Sequence, residues 1–345
     1  MRIIRAVFLP ASVGLLIWAA AVVPLPQYVQ APGTVVPLGA SIDVQDPSAG
    51  EIDGEFHMTT VNLRRATVFG LVHAGVSDTV GATLISRVVP PGMDPREYFR
   101  RERELFREAG RLAAAVGLCA AEFYDDPCQI TGDGALVVEV VPGSAADGVL
   151  LPGDVVIEAA GEPVATDSDL RAAIGSVLKG GSLRLVVLRQ GEELQAEVAP
   201  RPVTDVSDEP ILGVGPAIMN PRIDQSVPVE IRSGRVGGPS AGLMVALTVF
   251  DKVNADVDLA AGRVIAGTGT IDIDGAVGPV GSIRFKVVGA DRGGAELFLV
   301  PAGQADAARA AVPEGSDLIV VPIESLDDAL AVLQADDLKA TADAG

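Results

Sequence analysis

The first 25 residues place the strongest constraint on what this chain can fold into. Arg2 and Arg5 precede a nearly unbroken apolar run over residues 6–25. About 20 apolar residues suffice for a helix to cross a bilayer, and positive charge before the run favours a cytoplasmic N-terminus. We therefore predict a single-pass anchor in the cell membrane, a transmembrane helix over residues 1–26, with the remainder extracytoplasmic. A cleaved signal peptide is the alternative, because residues 19–21 are alanines.

Composition narrows the functional classes. The 345 residues include 26 Lys+Arg and 46 Asp+Glu, so the formal net charge is −20. Nucleic-acid binding needs a basic face to neutralise phosphates, and we expect no nucleic-acid partner for this acidic chain. Two histidines and two cysteines leave too few ligands for a zinc site, so we expect no metal and no cofactor. Cys119 and Cys128 form either a disulfide or two buried thiols, and both options stay open.

Residues 27–128 are predicted to form an α/β region with a long amphipathic helix. Short β-rich segments occupy the first part of this region. Asp94, Pro95 and Glu97 then supply an N-cap, a first-turn proline and a capping-box acid. The following residues carry apolar side chains at helical spacing up to about Gly117, and we interpret the Arg/Glu run among them as a solvated face.

Residues 129–201 have the pattern of a compact β-rich module. Strand-like segments alternate with turns, among them a Pro-Gly turn at Pro142 and a Gly-Asp turn at Gly153. This pattern resembles bacterial PDZ domains. The resemblance implies that an extended peptide is added to a sheet edge beside a helix, with the loop at residues 131–135 placed to hold a terminal carboxylate. A docking or spacer module without a peptide is the alternative.

Residues 202–338 alternate strands with helices and are predicted to form an α/β domain, followed by a tail over residues 339–345. The whole chain is therefore predicted to be an α+β multi-domain protein, with an N-terminal transmembrane helix, a PDZ-like module and a C-terminal α/β domain.

A shortage of bases restricts the catalytic chemistry. No histidine follows His73, so a Ser-His-Asp triad within the last domain is impossible. The metalloprotease motif HExxH and the phosphate-binding motif GxxxxGK[ST] are also absent. A serine activated by a lysine remains, because burial lowers the pKa of a lysine and its neutral amine is a base. Among the four lysines, Lys286 is distinguished by its apolar neighbours Phe285 and Val287.

The candidate nucleophile is Ser240, in the sequence Gly-Gly-Pro-Ser-Ala-Gly. Gly237 and Gly238 allow close approach of the backbone to a substrate. Ala241 follows at the start of a predicted helix, whose unpaired N–H groups can hold an oxyanion. The tetrapeptide Pro-Ser-Ala-Gly also occurs at residues 47–50 without the glycine pair or the apolar helix, and we interpret that copy as a turn.

These segments resemble the proteolytic domain of Lon-type proteases over about residues 227–321. GGPSAG matches the nucleophile motif at Ser240, and the segment from GTGTIDIDG to FKVVGADRGG matches the one that carries the catalytic lysine, here Lys286. The resemblance implies that Thr268 helps to orient the lysine amine. Ser282 stands where the family usually has a glycine. With the anchor and the PDZ-like module, the whole chain resembles bacterial membrane-anchored, PDZ-containing Lon-like serine proteases.

From this resemblance we expect an ATP-independent serine endopeptidase that uses a Ser-Lys dyad. Its substrates would be unfolded or flexible proteins or peptides outside the cytoplasmic membrane, and the PDZ module would bind substrate or gate the site. The family implies a hexameric homo-oligomer. A membrane-tethered PDZ adaptor with an inactive protease domain is the alternative function.

Overall fold

The computed structural model describes residues 14, 17–90, 92–123, 130–177, 181–203, 207–223, 227–232, 234, 236–254 and 257–335. Strands and helices are both abundant, in agreement with the predicted α+β content.

The predicted transmembrane helix is wrong. Within the described part of the chain, no helix has the length and apolar character needed to cross a membrane. A described helical stretch covers residues 17–22. Pro24 and Pro26, which lack the N–H that a helix needs, follow it before the first strand. The single-pass membrane localisation that depended on this helix is therefore wrong as well. Residues 1–13, 15 and 16 lie outside the described residues.

The N-terminal region consists of short strands followed by a long helix. Its elements are β1 (Gln27–Pro32), β2 (Val36–Pro37), β3 (Ile42–Val44), β4 (Glu55–Met58), β5 (Val61–Arg65), α1 (Val68–Val76), β6 (Gly81–Leu84), α2 (Pro95–Ala120) and β7 (Ile130–Thr131). Strand β1 lies between β5 and β6 in an antiparallel sheet. Helix α2 begins as predicted, because the Asp94 carboxylate accepts hydrogen bonds from N–H groups of the first turn and Pro95 follows it.

The middle region is an antiparallel sheet with one helix. Its elements are β8 (Ala135–Val140), β9 (Val155–Ala159), β10 (Glu162–Pro163), α3 (Asp167–Val177), β11 (Leu183–Arg189), β12 (Glu192–Val198), β13 (Arg201–Val203), β14 (Ser207–Ile211), β15 (Val214–Ile218) and β16 (Arg222–Ile223). The main sheet has the order β12-β11-β9-β8-β15. Gln190 and Gly191 both have positive φ in the tight turn between β11 and β12, which confirms the hairpin predicted there. Strand β15, beyond the predicted boundary at residue 201, forms one edge of this sheet.

The C-terminal region carries a mainly parallel sheet covered by helices. Its elements are β17 (Val229–Ile231), α4 (Gly242–Val253), β18 (Val264–Gly267), β19 (Thr270–Ile271), β20 (Val277–Gly278), α5 (Ile283–Arg292), β21 (Leu297–Pro301), α6 (Ala305–Arg309), β22 (Ile319–Ile323) and α7 (Leu326–Gln334). The sheet order is β2-β4-β18-β21-β22, in which β4, β18, β21 and β22 are parallel. Strand β4 reaches this sheet from the N-terminal region, so the middle region is an insertion between α2 and β17.

Helix α4 is the centre of the largest core. Residues from Gly242 to Asp251 are all buried, and α2 packs along α4 through its alanine-rich second half. A helix that is apolar on all sides requires such complete burial. The long helix therefore belongs to the core of the C-terminal domain rather than to a separate N-terminal unit.

Of the two cysteines, Cys119 lies within the described residues. Cys119 lies in the last turn of α2 and is disulfide-bonded. Cys128 lies outside the described residues.

Candidate active site

Three elements bring Ser240, Thr268 and Lys286 together. Ser240 lies two residues before α4, Thr268 directly follows β18, and Lys286 lies in the first half of α5. The Lys286 Nζ is 2.7 Å from Ser240 Oγ and 2.8 Å from Thr268 Oγ1. The predicted nucleophile, base and supporting threonine are thus neighbours, although 46 residues separate the serine from the lysine in sequence.

The backbone of Ser240 is fixed by the short segment between β18 and β19. Its carbonyl oxygen accepts hydrogen bonds from Thr268 Oγ1 at 2.9 Å and from Gly269 N–H at 2.9 Å. Thr268 is in turn held by donation of its own N–H to the Leu299 carbonyl on β21. The parallel sheet therefore sets the position of the serine backbone through Thr268 and Gly269.

Lys286 has a strongly perturbed environment. It is 4% exposed, between the buried side chains of Phe285 and Val287. Burial lowers the pKa of Lys286 from 10.5 to about 7, because the charged ammonium loses its hydration. Among the described residues, no carboxylate lies within ion-pair distance of its amine. A large fraction of the amine can therefore be neutral near pH 7.

The hydrogen bonds also fix which way the amine points. Thr268 donates its only hydroxyl proton to the Ser240 carbonyl, so Thr268 Oγ1 can only accept from Lys286. A neutral amine that donates one N–H to Thr268 keeps its lone pair for the proton of Ser240. This arrangement can activate the serine hydroxyl as a nucleophile.

The remaining predicted residues form the nucleophile loop, defined here as residues 237–241. Gly237 is exposed, whereas Gly238 and Ala241 are buried and Ala241 is the N-cap of α4. The N–H of Gly238 donates to the carbonyl of Glu102 on α2 at 2.8 Å. Within the described part of the chain, the N–H groups of Ser240 and Ala241 donate to no recorded acceptor. These two N–H groups lie at the helix start and are the ones placed to bind an oxyanion.

Sequence reasoning missed Glu102 at this site. The Arg/Glu run of α2 was interpreted as a solvated face, but Glu102 is half-buried. Tyr98, Glu102 and Phe106 are spaced by four residues and share one face of the helix. That spacing is the signal that places Glu102 on the apolar side, against the nucleophile loop.

No metal site accompanies these groups in the part of the chain that the structure describes. There, no cluster of three or more His, Cys, Asp or Glu side chains is arranged to hold a metal ion.

Comparisons with known families agree with two of the regions. Residues 223–335 match the Lon protease (S16) C-terminal proteolytic domain, and residues 116–199 match the PDZ domain. The chain therefore carries a PDZ domain and a Lon-type proteolytic domain.

Among curated proteins, the relatives are Lon proteases. The Lon protease of Phenylobacterium zucineum is 27% identical over 238 residues, which cover 66% of this chain and 28% of that protein. The Lon protease of Azorhizobium caulinodans is 28% identical over 160 residues, which cover 46% of this chain and 18% of that protein. The chain thus spans less than a third of the length of these curated relatives. Among solved structures, the PDZ domain of the SdrC-like protein from Listeria innocua is 20% identical, with 24% of this chain and 93% of that chain covered and a TM-score of 0.22.

Proposed function

We propose that this chain is an ATP-independent serine endopeptidase whose catalytic pair is Ser240 and Lys286. The observation that carries the proposal is the 2.7 Å contact between Ser240 Oγ and the buried amine of Lys286. The match to a Lon-type proteolytic domain supports peptide hydrolysis as the reaction class. Independence from ATP is proposed from the resemblance to PDZ-containing Lon-like proteases.

In the proposed mechanism, Ser240 attacks the carbonyl carbon of the scissile peptide bond. The neutral amine of Lys286 accepts the hydroxyl proton and then gives it to the nitrogen of the leaving amine. The C–N bond breaks, and an ester joins the acyl group to Ser240. A water molecule then attacks the ester, Lys286 accepts a proton from that water, and the serine regains its hydroxyl proton.

The oxyanion would be bound by the N–H groups of Ser240 and Ala241. Both precede the first turn of α4, where the helix dipole adds positive potential. The N–H of Gly238 does not serve this role, because it already donates to the Glu102 carbonyl.

Flexible chains are the proposed substrates. An extended peptide can reach Ser240 only after it has lost its own tertiary structure. Assembly into hexamers is proposed from the family resemblance alone. Light scattering should give a native mass of about six chains, and the mass of a single chain would contradict the assembly.

We further propose that the PDZ module gates the site. Ser168, at the start of α3, donates a hydrogen bond of 3.0 Å to Asp274 in the turn between β19 and β20. Strand β19 begins two residues after Thr268, so the module touches a segment that leads directly to the catalytic group. Asp274→Ala should change casein turnover at least about twofold, because small shifts in positioning alter rates. Unchanged turnover would leave the module as a spacer.

A peptide for this module would add to β15 rather than to the predicted loop at residues 131–135. In that loop, the N–H groups of Asp133 and Gly134 already donate to the carbonyls of Met219 and Ala165. Within the described residues no strand pairs with the outer edge of β15, and β15 packs beside α3, which is the arrangement needed for strand addition.

The central experiment measures hydrolysis of casein by four variants. Ser240→Ala and Lys286→Ala should each lower turnover by at least about 10³-fold, because the pair acts as a unit. Ser48→Ala and Lys252→Ala are matched controls at positions distant from the pair, and they should stay within about twofold of the wild type. Equal turnover by Ser240→Ala and Ser48→Ala would contradict the proposal. Absence of turnover in the wild type would favour a non-enzymatic PDZ adaptor.

A further inference from the structure

We propose that Glu102 on α2 is a positioning residue for the nucleophile. This inference rests on the proposed function, since the nucleophile that Glu102 positions is Ser240. The inference assigns a role to a long helix that lies outside the residues matched to the proteolytic domain.

The first observation is a hydrogen bond between the two elements. Gly238 N–H donates to the Glu102 carbonyl at 2.8 Å, and Gly238 has a φ of +85°. Glycine adopts this left-handed conformation without steric cost. The helix therefore holds the loop in one conformation at a residue two positions before Ser240.

The second observation is the closeness of the backbones. A Cβ added to Gly237 would lie 2.9 Å from Glu102 Cβ and 3.2 Å from the Glu102 carbonyl carbon. A Cβ added to Gly238 would lie 3.2 Å from Glu102 Oε2. The glycine pair was predicted to allow approach of a substrate, but in the fold it allows approach of α2.

The third observation is that α2 cannot move independently of the core. A Cβ at Gly110 would lie 2.9 Å from Ile231 Cδ1, and one at Gly117 would lie 2.5 Å from the Ala246 carbonyl oxygen. Between these contacts and Glu102, Phe106 and Ala109 line a narrow crevice against Pro239 and Ala241. The helix is thus fixed to β17 and α4, and it transmits that fixed position to the loop.

The Glu102 side chain is held in place as well. It is hydrogen-bonded to Tyr98, and burial raises the pKa of Glu102. Burial and the neighbouring Glu102 raise the pKa of Tyr98 to about 12. The ring of Tyr98 packs edge-on against Phe99, which does the same against Tyr28 on β1. The side chain at position 102 is therefore anchored to Tyr98.

Four variants test the contact: Gly237→Ala, Glu102→Gly, their combination, and Gly237→Ala combined with Glu104→Gly. Gly237 does not have a positive φ, so alanine there introduces only the clash with α2. Gly237→Ala should lower kcat on casein at least about 30-fold with KM changed less than about threefold, because the serine is displaced while the substrate groove is not. In the combined variant, Glu102→Gly removes the Cβ with which the new side chain at position 237 clashes. The combined variant should therefore regain at least about tenfold of the lost kcat.

Glu104→Gly is the matched control, because Glu104 is exposed on the same helix and glycine there has the same effect on helix propensity. Combined with Gly237→Ala, it should restore none of the lost kcat. If Gly237 instead serves the approach of substrate, Gly237→Ala will raise KM and Glu102→Gly will not rescue it, and the proposal is overturned.

Amide exchange at Gly238 gives a readout that does not depend on activity. In the wild type and in Ser240→Ala, the Gly238 amide should exchange at least about tenfold more slowly than in Gly237→Ala, with protection regained in the double variant Gly237→Ala/Glu102→Gly. Exchange of the wild-type Gly238 amide at the rate of a free amide would overturn the role of Glu102. A protected Gly238 in a protein without turnover would instead leave the positioning contact intact and reject the proposed protease function.

Discussion

The tetrapeptide Pro-Ser-Ala-Gly occurs twice in this chain, and the two copies lie at opposite ends of α4. The copy at residues 239–242 leads into the first turn of the helix, where backbone N–H groups are unpaired. The copy at residues 47–50 reaches the last turn, where Gly50 N–H donates to the Lys252 carbonyl at 2.7 Å. Partial positive charge gathers at a helix N-terminus and partial negative charge at its C-terminus. Only the copy at residues 239–242 therefore lies in a field that stabilises an oxyanion.

The two serines also have different partners. Ser48 is exposed and donates its hydroxyl proton to Asp46. Hydrogen bonds from Ser48 lower the pKa of Asp46, which makes this carboxylate a weaker base. Ser240 contacts Lys286, whose pKa is lowered towards neutrality by burial. The same four residues thus form a surface turn in one place and a candidate nucleophile in the other, and the difference lies in the helix end and the base.

The largest expected effect is a difference in reactivity between the two serines. A fluorophosphonate reagent should label Ser240 at least about 10³-fold faster than Ser48, because general-base assistance and oxyanion binding act only at Ser240. Peptide mapping by mass spectrometry measures both rates in one sample. Lys286→Met should bring the Ser240 rate down to that of Ser48. Similar rates at the two serines in the wild type would remove the distinction between the copies.

The second prediction concerns stability, since burial of Lys286 opposes folding. The folded pKa of about 7 lies below the ordinary value of 10.5, so the unfolded chain binds more protons between these pH values. The cost is full below about pH 7, of the order of 5 kcal/mol, and disappears above about pH 10.5. Lys286→Met removes this cost and raises the free energy of unfolding, but it also removes two hydrogen bonds. The net stabilisation at pH 6 should therefore be about 2–3 kcal/mol.

Urea unfolding at several pH values measures this effect. The advantage of Lys286→Met should shrink by about 1.4 kcal/mol for each pH unit above 7. Lys252→Met, at the other end of α4, is the control and should show no such slope. A destabilised Lys286→Met protein at pH 6 would mean that the amine is not buried in the way described.

How much of this could be predicted from sequence differs from element to element. Ser240 and Lys286 follow from short motifs and from the shortage of other bases, and those are local signals. The pairing of β4 with β18 joins segments about 200 residues apart, and no local pattern reports it. The predicted boundaries at residues 128 and 201 follow changes in composition, so they separate strands that share a sheet.

The prediction of a membrane span is wrong, because no helix among the described residues is long and apolar enough to cross a membrane. The charged run of α2 predicted a solvated face, although the four-residue spacing of Tyr98, Glu102 and Phe106 places one of its acids beside the nucleophile loop. For Glu102, the position of the residue along the helix was more informative than its polarity.

The third prediction is a difference in pH dependence between the two serines. Labelling of Ser240 should rise about tenfold per pH unit up to about pH 7 and then level off, because the neutral amine is the base. Labelling of Ser48 should lack this inflection. Reagent hydrolysis is corrected for with a small-molecule alcohol at each pH. A Ser240 rate that stays constant from about pH 6 to 9 would exclude Lys286 as the titrating base.

The smallest expected effect concerns the start of α5, the helix that delivers the base to only one of the two serines. Ser282 has φ of 59° and ψ of 35°, a left-handed conformation, and its side chain makes no capping hydrogen bond. The left-handed region costs a non-glycine residue about 1 kcal/mol or more, whereas glycine also loses more conformational entropy on folding. Ser282→Gly should therefore stabilise the protein by about 0.5 kcal/mol and leave the Ser240 labelling rate within about twofold. Ser282→Ala keeps the Cβ and should give no stabilisation. A difference in unfolding free energy between the two variants therefore measures the cost of the left-handed backbone conformation. If Ser282→Gly is destabilising or slows labelling, the serine side chain itself contributes to the placement of Lys286, and the contrast between the two tetrapeptides extends to the residue that begins α5.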